Sequence, residues 1–90
     1  MNNLSAYHVA QRALADLKSA VHSLLASSPD EGLTNAEVGR SLGIYAGHEG
    51  HEGHISRTLL AMLQAEGVAE QDAQSLRWQL RRHSHPPDAS

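Results

Sequence analysis

Between Leu4 and Ala26 the residues Tyr7, Ala10, Leu14, Leu17, Val21 and Leu24 recur at alternating spacings of three and four. That spacing puts them on one stripe of an amphipathic helix. No Pro or Gly interrupts the stripe. Ser27-Ser28-Pro29-Asp30 ends it, because proline disfavours helix in the residue before it. Leu17, Val21, Leu24 and Leu25 make the dense half and are expected in the core. Residues 4–13 offer only Leu4, Tyr7 and Val9 beside alanines. Residues 1–13 therefore read as an arm free to fray, to pack on the domain, or to pair with a second copy.

A second helix is expected over about residues 35–42. Thr34-Asn35-Ala36-Glu37 has the form of a capping box, in which the threonine hydroxyl and the glutamate carboxylate each satisfy an orphan amide. Gly43 can supply the left-handed turn that closes it. Leu33 and Ile44 are apolar anchors on either side. A third helix is expected from His54 to Glu66, stopped by Gly67. Ile55, Leu59, Met62 and Leu63 form its buried stripe, and Arg57 points away from it with His54 and Gln64, Thr58 lying at the border. Val68–Gln71, the turn Asp72-Ala73-Gln74-Ser75, and Leu76–Leu80 then read as a hairpin. Leu76, Trp78 and Leu80 alternate with Arg77, Gln79 and Arg81, the period of a half-buried strand. Trp78 is expected to plug the core beneath it. The predicted core is Leu17, Val21, Leu24, Val38, Leu42, Ile55, Leu59, Leu63, Leu76, Trp78 and Leu80.

Ninety residues with 40% hydrophobic content make one domain, over residues 1–82, with a polar tail at 83–90 expected to be disordered. No apolar run approaches the ~20 residues a bilayer needs. The N-terminus lacks the form of a signal peptide, so the expectation is a cytoplasmic protein with no membrane partner. Cysteine is absent, which excludes disulfides, thiolate zinc sites and cysteine nucleophiles. No nucleophile elbow, P-loop or dinucleotide fingerprint is present, and a core this small leaves little room for a substrate cavity. An enzyme is not expected.

The net charge is −3 and its distribution is uneven. Residues 31–53 set Glu31, Glu37, Glu49 and Glu52 against Arg40 alone. Arg57, Arg77, Arg81 and Arg82 are the only basic concentration, on the third helix and the return strand. The stretches LTNAEVGRSLGI, HISRTLLAMLQAEGVAEQD and LRWQL, in this order, resemble the bacterial winged helix-turn-helix pattern over roughly residues 14–82. The resemblance implies a mainly α fold with a small β-hairpin, three helices plus a two-stranded wing. It implies a DNA-binding protein, most simply a small transcriptional regulator, with the third helix in the major groove and the wing on the backbone. By the same resemblance His54, Arg57, Thr58 and Gln64 face double-stranded DNA, and Gln74, Ser75, Arg77, Arg81 and Arg82 form the wing contacts. A homodimer through the N-terminal helix would double a modest footprint. The chain departs from the pattern between Gly43 and His54, where about ten residues replace a turn of three or four.

That insertion holds Gly-His-Glu-Gly-His-Glu-Gly-His over residues 47–54. His48, His51 and His54 are the candidate metal ligands, since imidazole suits Zn, Cu and Ni. The intervening glycines leave nothing to hold the rings in place, so no resident metal or cofactor is expected. Tyr45, just before the repeat, can pack under it or reach a phosphate. Two other functions fit the same fold: a protein–protein interaction module without DNA binding, and a His-rich metal or pH sensor. A continuous positive surface across third helix and wing would favour DNA.

Overall fold

The computed structural model describes residues 3–45 and 52–81. Three helices, α1 (Asn3–Ala26), α2 (Asn35–Ser41) and α3 (His54–Ala65), precede an antiparallel pair, β1 (Ala69–Gln71) and β2 (Trp78–Leu80). The fold is mainly helical with a small two-stranded sheet. Among the described residues no helix is long and apolar enough to cross a membrane.

α1 ends where its sequence stops supporting it. Ser27 Oγ donates to the carbonyls of Ser23 and Leu24, and Ser28 Oγ to that of Leu25. These hydroxyls add a second donor to the last carbonyls of the helix, which also accept from Ser27 N and Ser28 N. α2 begins on the expected capping box, with Glu37 N donating to Thr34 Oγ1 at 3.1 Å and Thr34 N donating to Glu37 Oε1 at 2.9 Å.

Val21 and Leu25 of α1, Val38 of α2, and Leu59, Leu60 and Leu63 of α3 meet Ala69 and Trp78 of the sheet in one core. Leu14, Leu17, Leu24, Leu33, Leu42, Ile44, Val68 and Leu80 pack around it, half-buried. α3 corrects its expected phase. Ile55 is 41% exposed, whereas Ser56 and Leu60 are fully buried. The buried stripe is rotated by roughly 60° from the expected one, at 3.6 residues per turn. The cause lies on α2. Gly39 presents no side chain to Ser56, and a Cβ there would lie 2.9 Å from Ser56 Oγ. The two helices close against each other at this point and turn the Ser56–Leu60 edge of α3 inward, leaving Ile55 at the rim.

The sheet also gains a strand-like neighbour that hydrophobic periodicity did not mark. Leu33 pairs with Trp78 in an antiparallel bridge: Leu33 N donates to Trp78 O at 2.9 Å, and Trp78 N to Leu33 O at 2.6 Å. β2 therefore lies between β1 and the segment that enters α2. This ties the hairpin to the helix pair.

Leu76 departs from the expected strand. Its backbone is left-handed, at φ 63°, and its side chain is 58% exposed. Its N–H closes the hairpin loop on Asp72 O at 2.8 Å, so the alternating strand pattern begins only after it. A left-handed non-glycine residue costs about 1–2 kcal/mol. Leu76→Asn is therefore expected to leave stability unchanged or raise it by up to about 1 kcal/mol in a urea melt, since asparagine tolerates this conformation. A loss of about 2 kcal/mol or more, as for a buried leucine, would place Leu76 in the core instead.

Candidate nucleic-acid interface

The N-terminal end of α3 is built from backbone as much as from side chains. Gly53 precedes the helix at φ 85°, a left-handed conformation that glycine adopts without strain. Its carbonyl accepts from Arg57 N at 2.9 Å, Ser56 Oγ at 3.2 Å and Asn35 Nδ2 at 3.3 Å. One carbonyl thus pins the first turn of α3 to the first turn of α2. Asn35 Oδ1 is buried and has no protein hydrogen-bond partner.

Tyr45 completes the junction. Side chains built at Gly39 or Gly53 would meet its ring at 2.9 and 3.0 Å, so the ring sits where two glycines leave space. Of the two roles open to Tyr45, its ring takes the packing one. The guanidinium of Arg40 lies over it, 4.6 Å from the ring centroid, in a cation–π arrangement. Arg57, in the first turn of α3, donates from Nη2 to the carbonyl of Glu52 at 3.2 Å. Two exposed arginines therefore flank the start of α3. Sequence reasoning singled out Arg57 and missed Arg40. The available signal was Tyr45, five residues after Arg40.

The outer row of α3, opposite its buried edge, consists of His54, Thr58, Ala61 and Ala65, all exposed. Arg57 and Gln64 are exposed on the flank beside that row. Four residues expected at the interface thus share one accessible side of one helix. The residues expected as wing contacts do not join them as a cationic surface. Gln74 and Ser75 lie in the hairpin loop, where their N–H groups donate to Asp72 Oδ2 at 3.0 and 2.7 Å. These bonds hold the Asp72 carboxyl below its usual range, Ser75 being the larger cause.

Arg77 is half-buried and engaged within the chain. Its Nη1 donates to Gly32 O at 3.0 Å and to Glu37 Oε1 at 3.3 Å. The outward guanidinium that strand alternation implies is instead a brace between the hairpin and the start of α2. The Glu37 carboxyl is held below its usual range, first by the Thr34 amide and then by the Arg77 charge. Arg81 is exposed but sits at the opposite end of the hairpin, where its N–H donates to Val68 O at 2.8 Å. Arg57 and Arg81 are thus at opposite ends of α3, whose 12 residues span about 18 Å. Lys18 forms an ion pair with Glu66 at 2.6 Å.

Arg82, His48 and His51 lie outside the described residues, as does most of the His-Gly-Glu repeat. Among the described residues no three His, Asp or Glu side chains converge as a metal site. No family model, curated protein or solved structure matches this chain.

Proposed function

We propose that this chain is a winged-helix module that binds double-stranded DNA, the working part of a small cytoplasmic transcriptional regulator. The order of elements supports the winged-helix reading: helix, bridging Leu33 segment, two helices, hairpin, with β2 between its two neighbours. The observation that carries DNA binding is the start of α3. There Arg40 and Arg57 stand at a helix N-terminus, whose dipole adds positive potential for a phosphate.

In this reading α3 enters the major groove. Arg40 and Arg57 hold phosphates at its leading end, and His54, Thr58 and Gln64 face base edges. Ala61 and Ala65 keep the outer row low, so the helix backbone approaches the groove floor. The wing acts through Gln74 and Ser75, because Arg77 is committed to Glu37 and Gly32.

The test is fluorescence anisotropy with a random-sequence duplex at low and physiological salt. Binding is expected to weaken steeply with salt, since each phosphate contact releases condensed counterions. Arg40→Ala and Arg57→Ala are expected to weaken binding, each lowering the salt slope by about one where one phosphate contact is lost. Neither should cost more than about 1 kcal/mol of stability, both being exposed. Arg77→Ala should instead lower Tm. Failure of the wild-type chain to bind any duplex at low salt overturns the proposal.

A protein-interaction module is the second reading, favoured by one observation. Lys18 and Arg77 are neutralised within the fold by Glu66 and Glu37, which leaves a net-acidic chain with few cations to spare.

A further inference from the structure

We infer that α1 pairs with α1 of a second copy of this chain, antiparallel and in one register. The inference does not rest on DNA binding, and because His54 and Thr58 line the groove it fills, pairing and base contact through those two side chains are alternative uses of one surface.

Residues 4–13 of α1 are all exposed. They form an exposed overhang of helix, and short unpacked helix is marginal in water. Leu4 and Tyr7 on this overhang are 62% and 58% exposed. Where the overhang meets the domain there is an apolar groove of about 260 Å³ between α1 and α3. It is lined by Leu14, Leu17, His54, Ile55, Thr58 and Leu59. Its exposed apolar rim is Ile55, the residue that the rotation of α3 left outside the core. One molecule thus carries both an apolar protrusion and an apolar recess on the same helix.

The spacing of the two makes the occupant a second copy. A two-fold interface must be self-complementary. Leu4 and Tyr7 mirror Leu17 and Leu14 about a point between Ala10 and Gln11. In an antiparallel pair centred there, Leu4 of each copy meets Leu17 of the other, and Tyr7 meets Leu14. The protrusions of each chain then fill the groove of its partner. Small Ala10 sits at the crossing and lets the helices approach.

Charge agrees with this register. At 3.6 residues per turn, Arg12 and Asp16 project from the opposite side of α1, so no like charges face each other across the axis. Lys18 falls within the pairing stripe, but its mirror position is the uncharged Asn3 and its ammonium is already paired with Glu66. Val9 is 67% exposed but lies on the far side with Arg12 and Asp16. It is apolar, yet outside the pairing face.

The test combines sedimentation of the full chain with disulfide trapping. The wild type is expected to move from monomer towards dimer as concentration rises through the micromolar range. Tyr7→Glu should abolish the dimer and Val9→Glu should leave it intact. Both residues are exposed in the single chain, so neither variant should unfold it. The chain has no cysteine of its own, so an introduced pair reports register without background. Leu4→Cys combined with Leu17→Cys should trap a covalent dimer under mild oxidation. The two positions are about 20 Å apart along one helix and cannot join within a chain. A chain that stays monomeric at high concentration overturns the pairing. So does trapping through Tyr7→Cys alone, which would mark a parallel pair. Equal loss of dimer in Tyr7→Glu and Val9→Glu would also overturn it.

Discussion

Leu60→Ala is expected to cost about 2–5 kcal/mol, and Ile55→Ala less than about 1 kcal/mol. The two substitutions remove similar numbers of carbon atoms from neighbouring turns of one helix. They differ in where those atoms sit. Leu60 is fully buried in the cluster that joins Val38 of α2, Val21 of α1 and Trp78 of the sheet. Truncating it removes dispersion contacts on every side and leaves a void that the three surrounding elements cannot all move to fill. Ile55 lies at the rim of the α1–α3 groove with much of its surface already in water. Its truncation loses only the buried fraction of its transfer free energy. Urea denaturation of both variants at a concentration where the chain is monomeric checks the order, because pairing through the groove would add to the apparent cost of losing Ile55. A larger loss at Ile55 than at Leu60 would restore the phase of α3 that the hydrophobic spacing alone suggests.

That phase shows how far the sequence carries. The three helices were legible because their signals are local: a three-and-four spacing in α1, a capping box at Thr34 and Glu37, and Gly67 closing α3. The rotation of α3 was not legible. It depends on Gly39 meeting Ser56, a contact between residues 17 apart in which a glycine and a serine, neither hydrophobic, define the closest approach. Hydrophobic periodicity is blind to such a contact, so Ser56 was overlooked as a buried residue. The Leu33–Trp78 bridge is likewise a long-range pairing, and a single bridging residue has no alternating pattern to reveal it.

The candidate interface divides along the same line. His54, Arg57, Thr58 and Gln64 follow from helix geometry, and each is exposed on α3. Strand alternation places Arg77 on the outer face of the hairpin. It does not reveal that Glu37, 40 residues earlier, lies within reach of its guanidinium. Arg40 escaped notice because its role depends on the Tyr45 ring, which is positioned by Gly39 and Gly53.

Gly32→Ala is expected to destabilise the chain by about 2–4 kcal/mol and to loosen the hairpin from the helices. Two costs combine. Gly32 has φ 84°, where an alanine is strained by about 1–2 kcal/mol. A Cβ at this position would also collide with the carbonyl oxygen of Trp78, which belongs to the backbone and cannot swing aside. That oxygen accepts the Leu33 N–H, so relieving the collision opens the bridge, at about 0.5–1.5 kcal/mol for each hydrogen bond lost. The Gly32 carbonyl meanwhile receives Arg77 Nη1, so the brace from hairpin to α2 shifts with it. Gly43→Ala supplies the control. Gly43 has a similar φ of 72°, but a Cβ there meets nothing within 4 Å, so only the conformational cost of about 1–2 kcal/mol applies. Thermal melts give the difference in stability. Trp78 fluorescence reports the hairpin directly, because Trp78 is the only tryptophan and is buried where the bridge forms. The expected outcome is a larger fall in Tm for Gly32→Ala, with a red-shifted Trp78 emission that Gly43→Ala does not show. Equal effects of the two substitutions would mean that Leu33 does not hold the hairpin, and that α2 and the hairpin are joined only through the shared core.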